Sequence, residues 1–231
     1  MLPAMDPVTP FIQAVTLAVA ALLPIVNPLG SVPLFLQLTS DFTHPQRSGM
    51  AKSVAINSFL LLLASTLVGA YVLDFFGLSI PAVQVGGGLL VCAMGWNLLN
   101  GPDAGDHVAR AAVRAVAAED LPRRAFYPLT MPLTVGPGSI SVAVTLGASP
   151  AADVRALLVT TAGHVVGIVA VAASVALCYR YADAIMRKLG DTGRIVVMRL
   201  SAFIVLCIGV QIAWNGLRGL VAATFPQIVT Q

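Results

Sequence analysis

Two short segments rich in proline and glycine are the residues of this chain with the clearest capacity for chemistry. They are Pro24-Ile-Val-Asn-Pro-Leu-Gly-Ser31 and Pro132-Leu-Thr-Val-Gly-Pro-Gly-Ser139, and each interrupts a long apolar stretch. Proline lacks a backbone N–H and clashes with the preceding helical turn, and glycine lowers helix stability through its conformational entropy. Both segments are therefore predicted to break a helix and to leave backbone groups free for a ligand.

The chemistry available to such breaks is that of backbone dipoles. Bare backbone cannot face lipid, because an unsatisfied N–H or C=O is costly there. A helix that restarts presents N–H groups to an anion, and a helix that stops presents carbonyls to an ammonium or sodium ion. Two breaks that face each other near the midplane predict a site for a small zwitterion, built without charged side chains. The alternative is a pair of proline kinks whose free groups bond Ser and Thr of neighbouring helices.

The first break is predicted to lie between two helical pieces, at residues 27–31. Asn27 precedes Pro28 and is therefore disfavoured in a helix. Gly30 allows a positive φ or a close approach of another group. Ser31 is a candidate N-cap of the second helical piece.

The second break repeats this pattern. Pro132 is predicted to end a helical piece, residues 135–138 to be irregular, and Ser139 to open the next helix. A shift of 108 positions places Pro24 on Pro132, Gly30 on Gly138 and Ser31 on Ser139.

The elements that must position both breaks are membrane spans. Hydrophobic residues make up 58% of the 231 residues and charged residues only 10%, against roughly 25% charged in soluble domains. A span needs about 20 mainly apolar residues. The sequence therefore predicts an all-α, polytopic membrane protein with six spans, at about 9–38, 51–73, 80–99, 125–146, 154–179 and 195–223.

The matched breaks also predict two repeats within a single membrane domain, 1–231. Repeat 1 covers about 9–100, a cytoplasmic linker covers about 101–124, and repeat 2 covers about 125–223. After an insertion of seven residues near 187–193 the shift becomes 115, which matches Cys92 with Cys207. Each repeat has three spans, so the two are predicted to be inverted in the membrane, as in many secondary transporters.

The distribution of Lys and Arg predicts the orientation. With the N-terminus outside, eleven of the 13 Lys and Arg residues fall in inside loops, and only Arg155 and Arg218 fall outside. Cytoplasmic loops carry the excess of positive charge. Both termini are therefore predicted to be periplasmic.

Two polar side chains within other spans are candidates for an accessory or coupling role. Asn57 and His164 are costlier to place in a membrane than Ser or Thr. His164 is the one group within a predicted span that titrates near neutral pH. A packing role through hydrogen bonds is an equal alternative for His164. No nucleotide-binding loop, metal-ligand cluster or nucleophile with a matched base is present, so we expect neither an enzyme, a metal site nor a nucleic-acid partner.

The paired motifs resemble those of a known family. Asn27-Pro28-Leu29-Gly30-Ser31-Val32-Pro33, taken with Pro132-Leu133-Thr134-Val135-Gly136-Pro137-Gly138-Ser139-Ile140, is similar to the MarC family of bacterial inner-membrane proteins, which includes SnatA-type small neutral amino acid transporters. The resemblance implies an inverted three-plus-three repeat with discontinuous first and fourth helices. It also implies which residues border the substrate: Asn27, Pro28, Gly30, Ser31, Thr134, Gly136, Pro137, Gly138 and Ser139.

These observations favour a secondary transporter as the leading hypothesis. It would move glycine, alanine or serine across the bacterial inner membrane by alternating access. The resemblance implies no cofactor beyond a coupling proton or sodium ion, and no partners beyond the lipid bilayer and a small neutral amino acid. The alternatives are a channel or exporter for another small solute and a membrane protein without transport activity. The oligomeric state stays open.

Overall fold

The computed structural model describes residues 8–100, 121–148 and 153–224. Within these ranges every regular element is helical, which confirms the predicted all-α class. Most of the predicted linker at 101–124 lies outside the described residues.

The described part of the first half, residues 8–100, contains four helices, and its first predicted span is broken. Helix α1 ends one residue before Asn27, and the chain forms a turn before α2 begins. Helices α3 and α4 follow, and neither is broken. Their bounds are α1 Val8–Val26, α2 Val32–Leu38, α3 His44–Phe75 and α4 Ile80–Asn100.

The second half contains a longer irregular region at its start. A short helix leads into a segment of wide helical turns, which then meets α6 at a bend of 73°. Helix α8 is interrupted at Gly190, where φ is +61°. The bounds are α5 Leu121–Arg124, the wide-turn segment Ala125–Thr134, α6 Pro137–Gly147, α7 Val154–Arg180 and α8 Ala182–Thr224.

Among the described residues, five helical stretches are long and apolar enough to cross a membrane. They are α1, α3, α4, α7 and the Ile195–Thr224 part of α8, and the bent pair formed by Ala125–Thr134 and α6 makes a sixth if it counts as one span. The structure therefore shows five or six candidate spans where the sequence predicts six.

Local sequence explains where the long helices begin. Thr43 and Gln46 form a capping box at the start of α3, in which the Thr43 N–H donates to Gln46 Oε1 at 2.9 Å. At the start of α7 the Asp153 carboxylate accepts the Ala156 N–H at 2.6 Å. Such caps satisfy N–H groups that have no partner within the helix.

Glycines allow two pairs of helices to pack closely. A Cβ at Gly163 would overlap Ala14 of α1, and a Cβ at Gly167 would overlap Ala18. The residue numbers of the contacting partners increase together along the two helices, so α1 and α7 run parallel. Around these helices lies an apolar core that includes Leu22, Val26, Val54, Leu62, Ile168 and Val171.

Helices α4 and α8 form the other close pair. Gly88 lies against the backbone of Ala213, and Gly95 lies against Leu206. Here the residue numbers of the partners in α8 decrease as those in α4 increase, so these two helices run antiparallel. Small residues that let backbones approach closely are the usual basis of helix association in membranes.

Candidate functional site

The first break is a tight turn organised by Asn27. Its φ is +45°, in the left-handed region, where asparagine is among the residues that are tolerated. The Asn27 side chain accepts the Gly30 N–H at Oδ1, 3.2 Å away, and the Asn27 carbonyl accepts the Ser31 N–H at 3.1 Å. A Cβ at position 30 would overlap the Asn27 amide. The predicted close approach at Gly30 is therefore present, while the positive φ belongs to Asn27.

Ser31 occupies the N-cap position of α2, as predicted, but its side chain makes no capping bond. Ser31 has helical φ and ψ, −85° and −9°, and makes no side-chain bond to the start of α2. Asn27 already holds the turn, and Pro33 removes one of the N–H groups that a cap would satisfy. The Ser31 side chain lies near Tyr179.

Substitutions at Asn27 separate its backbone role from its side-chain role. Asn27→Ala is expected to lower the free energy of unfolding by about 1–2 kcal/mol, because alanine is strained in the left-handed region. Asn27→Gly keeps this φ without strain and loses only the bond to Gly30, so it should cost less. Denaturant unfolding of the two purified variants measures the difference. Equal losses would show that the left-handed backbone contributes nothing.

The second break starts earlier than the sequence suggests. The Thr130 and Thr134 hydroxyls donate to the carbonyls five residues back, Ala125 O and Leu129 O, each at 2.7 Å. The Val135 N–H likewise donates to Thr130 O at 2.8 Å. These wide turns keep the segment helical in outline while the prolines remove the ordinary bonds.

The helix after the second break also begins earlier than predicted. Val135 and Gly136 are extended, and α6 begins at Pro137 rather than at Ser139. Proline is well suited to the first position of a helix. Ser139 lies in the first turn and is buried.

Gly138 anchors the second break to α4. A Cβ at this position would overlap Val91 Cγ2 and approach the carbonyl of Gly87 at 3.7 Å. At the other end of α6, a Cβ at Gly147 would overlap the carbonyl of Thr66 in α3. Helix α6 is thus held between α3 and α4 by two close approaches.

A buried tyrosine joins the two breaks. Tyr179, at the end of α7, is 1% exposed, and its hydroxyl lies 2.8 Å from Thr134 Oγ1. The Ser31 side chain lies near the same hydroxyl. Its ring stacks on Phe35 of α2 with centroids 4.3 Å apart and planes 13° apart. The structure therefore brings Phe35, which follows the first break, and Thr134 of the second break together on one tyrosine.

The direction of these hydrogen bonds follows from the number of protons. Thr134 has one hydroxyl proton, which it donates to Leu129 O. Tyr179 must then donate to Thr134. The result is one ordered chain of hydrogen bonds, from Tyr179 through Thr134 to a backbone carbonyl of the second break.

The two accessory candidates, Asn57 and His164, lie apart from this chain of hydrogen bonds. His164 is 3% exposed on α7, fifteen residues before Tyr179, or roughly 22 Å away along a helix that rises 1.5 Å per residue. Asn57 is half-buried on α3. Within the described part of the chain, no hydrogen bond reaches either side chain, and their roles stay predictions.

Sequence reasoning missed Tyr179 as a site residue. The repeat matches it with Tyr71, but Tyr71 is 75% exposed and takes no part in the site. The available signal was its place at the polar end of an apolar span, because a buried phenol needs a hydrogen-bond partner.

A pair of arginines lies beyond α2, on the side of the breaks where α3 begins. Arg47 Nη1 contacts both carboxylate oxygens of Asp183, at 2.9 and 3.0 Å, and Arg47 Nη2 donates to Thr39 O at 3.1 Å. Arg124 Nη1 lies 2.7 Å from Asp41. The guanidinium of Arg124 also lies over the Phe42 ring. These bonds join helix ends and a turn that the charge pattern predicts to lie on the inside.

These features define a class of protein. It is an integral membrane protein of apolar helices, in which two broken segments meet at a buried tyrosine. The family model described as "MarC family integral membrane protein" matches residues 12–221. The chain belongs to the MarC family.

Relatives from enteric bacteria agree with this assignment. The chain is 33% identical over 213 residues to the "UPF0056 inner membrane protein MarC" of Salmonella arizonae, covering 88% of this chain and 94% of the relative. Proteins of the same name from Salmonella typhimurium and Escherichia coli O1:K1 / APEC are each 32% identical, with 94% of the relative covered. Among solved structures, none matches the chain at a significant level.

Proposed function

We propose that this protein is a secondary transporter that moves small neutral amino acids, such as glycine, alanine and serine, by alternating access. The observation that carries the proposal is the meeting of two broken segments at Tyr179, within a frame of apolar helices. Broken helices that supply backbone groups beside a membrane-buried site are a recurring feature of secondary transporters.

The composition of the site supports a small zwitterion as the solute. The break residues offer hydroxyls, at Ser31 and Thr134, and backbone groups, but no charged side chain. The surrounding walls are apolar and fully buried at Val32, Phe35 and Val135. A solute with a long or charged side chain would leave that charge without a partner, which is costly in such surroundings.

The packing of α4 and α8 supports the proposed inverted repeat. The sequence matches these helices as the third spans of the two halves, and they pack antiparallel through Gly88, Gly95 and Gly209. Antiparallel contact between equivalent helices is the arrangement that a twofold axis in the membrane plane produces. On this arrangement the bent pair Ala125–Thr134 and α6 counts as one span, which gives six.

The location proposed is the inner membrane, with both termini outside. The relatives are named inner membrane proteins. The helix ends that carry Arg47, Arg124 and Asp183 would then face the cytoplasm. This orientation agrees with the usual excess of positive charge on the cytoplasmic side.

Uptake into proteoliposomes tests the proposal. The purified protein is expected to give saturable uptake of labelled glycine and exchange of labelled for unlabelled glycine across the membrane. Imposed proton and sodium gradients identify the coupling ion, and a His164→Gln variant tests whether His164 carries the proton. Flux that neither saturates nor exchanges would indicate a channel. No uptake of any small neutral amino acid would overturn the proposal.

A further inference from the structure

We propose that the N-terminal end of the α1–α7 pair binds one aminophospholipid, with an acyl chain in the groove between the two helices and the headgroup on Arg155 and Asp153. The ligand class is a lipid whose headgroup carries both a phosphate and a primary ammonium, as in phosphatidylethanolamine. The proposal goes beyond the proposed transport function and does not rest on it, because it uses neither of the two breaks.

An open apolar groove of about 370 Å³ lies between the first turns of α1 and α7. Its lining residues are Val8, Phe11, Leu158, Val159 and Ala162. The groove lies just before the close contact at Gly163, where α7 meets the backbone of α1. Side chains of this kind offer dispersion contacts to a hydrocarbon chain and no hydrogen bond to a polar solute.

The groove lies at the depth of one leaflet. Helix α7 has 27 residues, which rise roughly 40 Å and so match the thickness of a bilayer with its headgroups. Arg155, in the first turn of α7, is therefore at the level of the headgroups, and Ala162 lies roughly 10 Å deeper. Because one leaflet contains about 15 Å of hydrocarbon, the groove is placed to receive an acyl chain.

Arg155 is placed to hold the phosphate of such a lipid. It precedes Leu158 and Val159 by three and four residues, so the three side chains share one face of α7. Helical side chains tilt toward the N-terminus of their helix, which directs the guanidinium away from the apolar lining and toward the headgroups. Arg155 is exposed and forms no ion pair within the part of the chain that the structure describes. A guanidinium can donate two parallel hydrogen bonds to a phosphate.

Asp153 supplies the opposite charge, two residues before Arg155. It is exposed, and its Oδ1 caps α7 by accepting the Ala156 N–H at 2.6 Å. Among the described residues its other carboxylate oxygen has no partner, and no ion pair joins it to Arg155. A headgroup that carries a phosphate and an ammonium matches both charges. A headgroup with a phosphate alone would be repelled by the carboxylate of Asp153.

Lipid binding to the delipidated protein tests the proposal, with native mass spectrometry measuring the Kd of the first bound lipid. The wild type should bind phosphatidylethanolamine more tightly than phosphatidylcholine, whose trimethylated nitrogen cannot donate a hydrogen bond, and more tightly than phosphatidylglycerol. Arg155→Gln is expected to raise the Kd for phosphatidylethanolamine about tenfold, since it removes a charge-assisted bond. Arg180→Gln is the matched control, because Arg180 is exposed at the other end of α7, and its Kd should be that of the wild type.

Two further substitutions separate the headgroup from the groove. Asp153→Asn removes the charge but keeps the cap, because asparagine caps a helix as well as aspartate does, and it should abolish the preference for phosphatidylethanolamine over phosphatidylcholine. Ala162→Phe fills the groove and should weaken the binding of all three lipids. Ala173→Phe is its control, since Ala173 is exposed on the same helix beyond the groove.

The outcomes also exclude a general loss of stability as the cause. In detergent without lipid the Arg155 variant should unfold with the free energy of the wild type, and added phosphatidylethanolamine should stabilise the wild type more. Wild-type protein that does not distinguish the three lipids, or a folded Arg155→Gln variant with an unchanged Kd, would overturn the proposal. A preference for phosphatidylethanolamine that persists in Asp153→Asn would contradict the place given to the ammonium. A failure to transport glycine would overturn the proposed function and leave this site unaffected.

Discussion

Replacing Gly138 with valine is expected to abolish glycine uptake while the protein still inserts into the membrane. Even a single Cβ at this position overlaps Val91 Cγ2 of α4, and valine adds two further methyl groups. Overpacking of this kind costs about 1–3 kcal/mol, and here it would push the start of α6 away from α4. The displaced segment carries the second break with it. Uptake per folded protein, with folding checked by size-exclusion chromatography, measures the effect.

A smaller substitution and its compensation show whether the contact itself is responsible. Gly138→Ala alone should lower uptake, and adding Val91→Ala should restore much of it, because the overlapping methyl group is then gone. Gly86→Ala is the matched control, since a Cβ there has nothing within 4 Å. A Gly138→Val variant with wild-type uptake would show that the fit of α6 against α4 is not needed for transport.

Reversing one charge of the Arg47–Asp183 pair is expected to give the second large effect. Arg47 is 17% exposed and holds both the Asp183 carboxylate and the Thr39 carbonyl at the end of α2. Asp183→Arg would place two cations together, and the loss of a partly buried pair costs about 1–3 kcal/mol. We expect a fall in unfolding free energy of that size and at least a tenfold fall in uptake, because α2 carries Phe35 against Tyr179.

The double reversal distinguishes the ion pair from the bond to Thr39. Arg47→Asp with Asp183→Arg restores the attraction but not the bond to Thr39 O, so it should recover part of the stability and not all of it. Arg155→Asp is the control, because Arg155 matches Arg47 in the repeat yet is exposed and forms no ion pair within the described residues. Equal stability of the single and double reversals would show that the pair has no coupling energy.

Sequence reasoning identified the helices and the places where they break, because these depend on local properties. Long apolar runs predicted the spans, and Pro28 and Pro132 marked the breaks within a few residues. The left-handed Asn27 was not predicted, since asparagine is only one of several residues that such a turn accommodates. The early start of the second break was missed too, because the bonds of Thr130 and Thr134 to carbonyls five residues back have no signature in composition.

The central contact of the site could not be predicted, because it depends on tertiary packing. Nothing in the sequence places Tyr179 beside Ser31, which lies 148 positions earlier. Their approach results from the parallel packing of α1 and α7 through Gly163 and Gly167. The repeat matches Tyr179 with Tyr71, which the structure leaves exposed. A match between repeats predicts backbone geometry better than it predicts which side chains meet.

The packing of α1 against α7 has a consequence for how the molecule would move. Helix α1 comes from the first half of the sequence and α7 from the second, yet their close glycine contacts join them, as those of α4 and α8 join helices of both halves. The rigid bodies of a transport cycle would therefore each be assembled from both halves of the chain. The boundary between them would run through the bond between Tyr179, at the end of α7, and Thr134, which leads into the segment anchored on α4. The two halves of the sequence could not move as independent units in this fold, since each supplies part of both bodies.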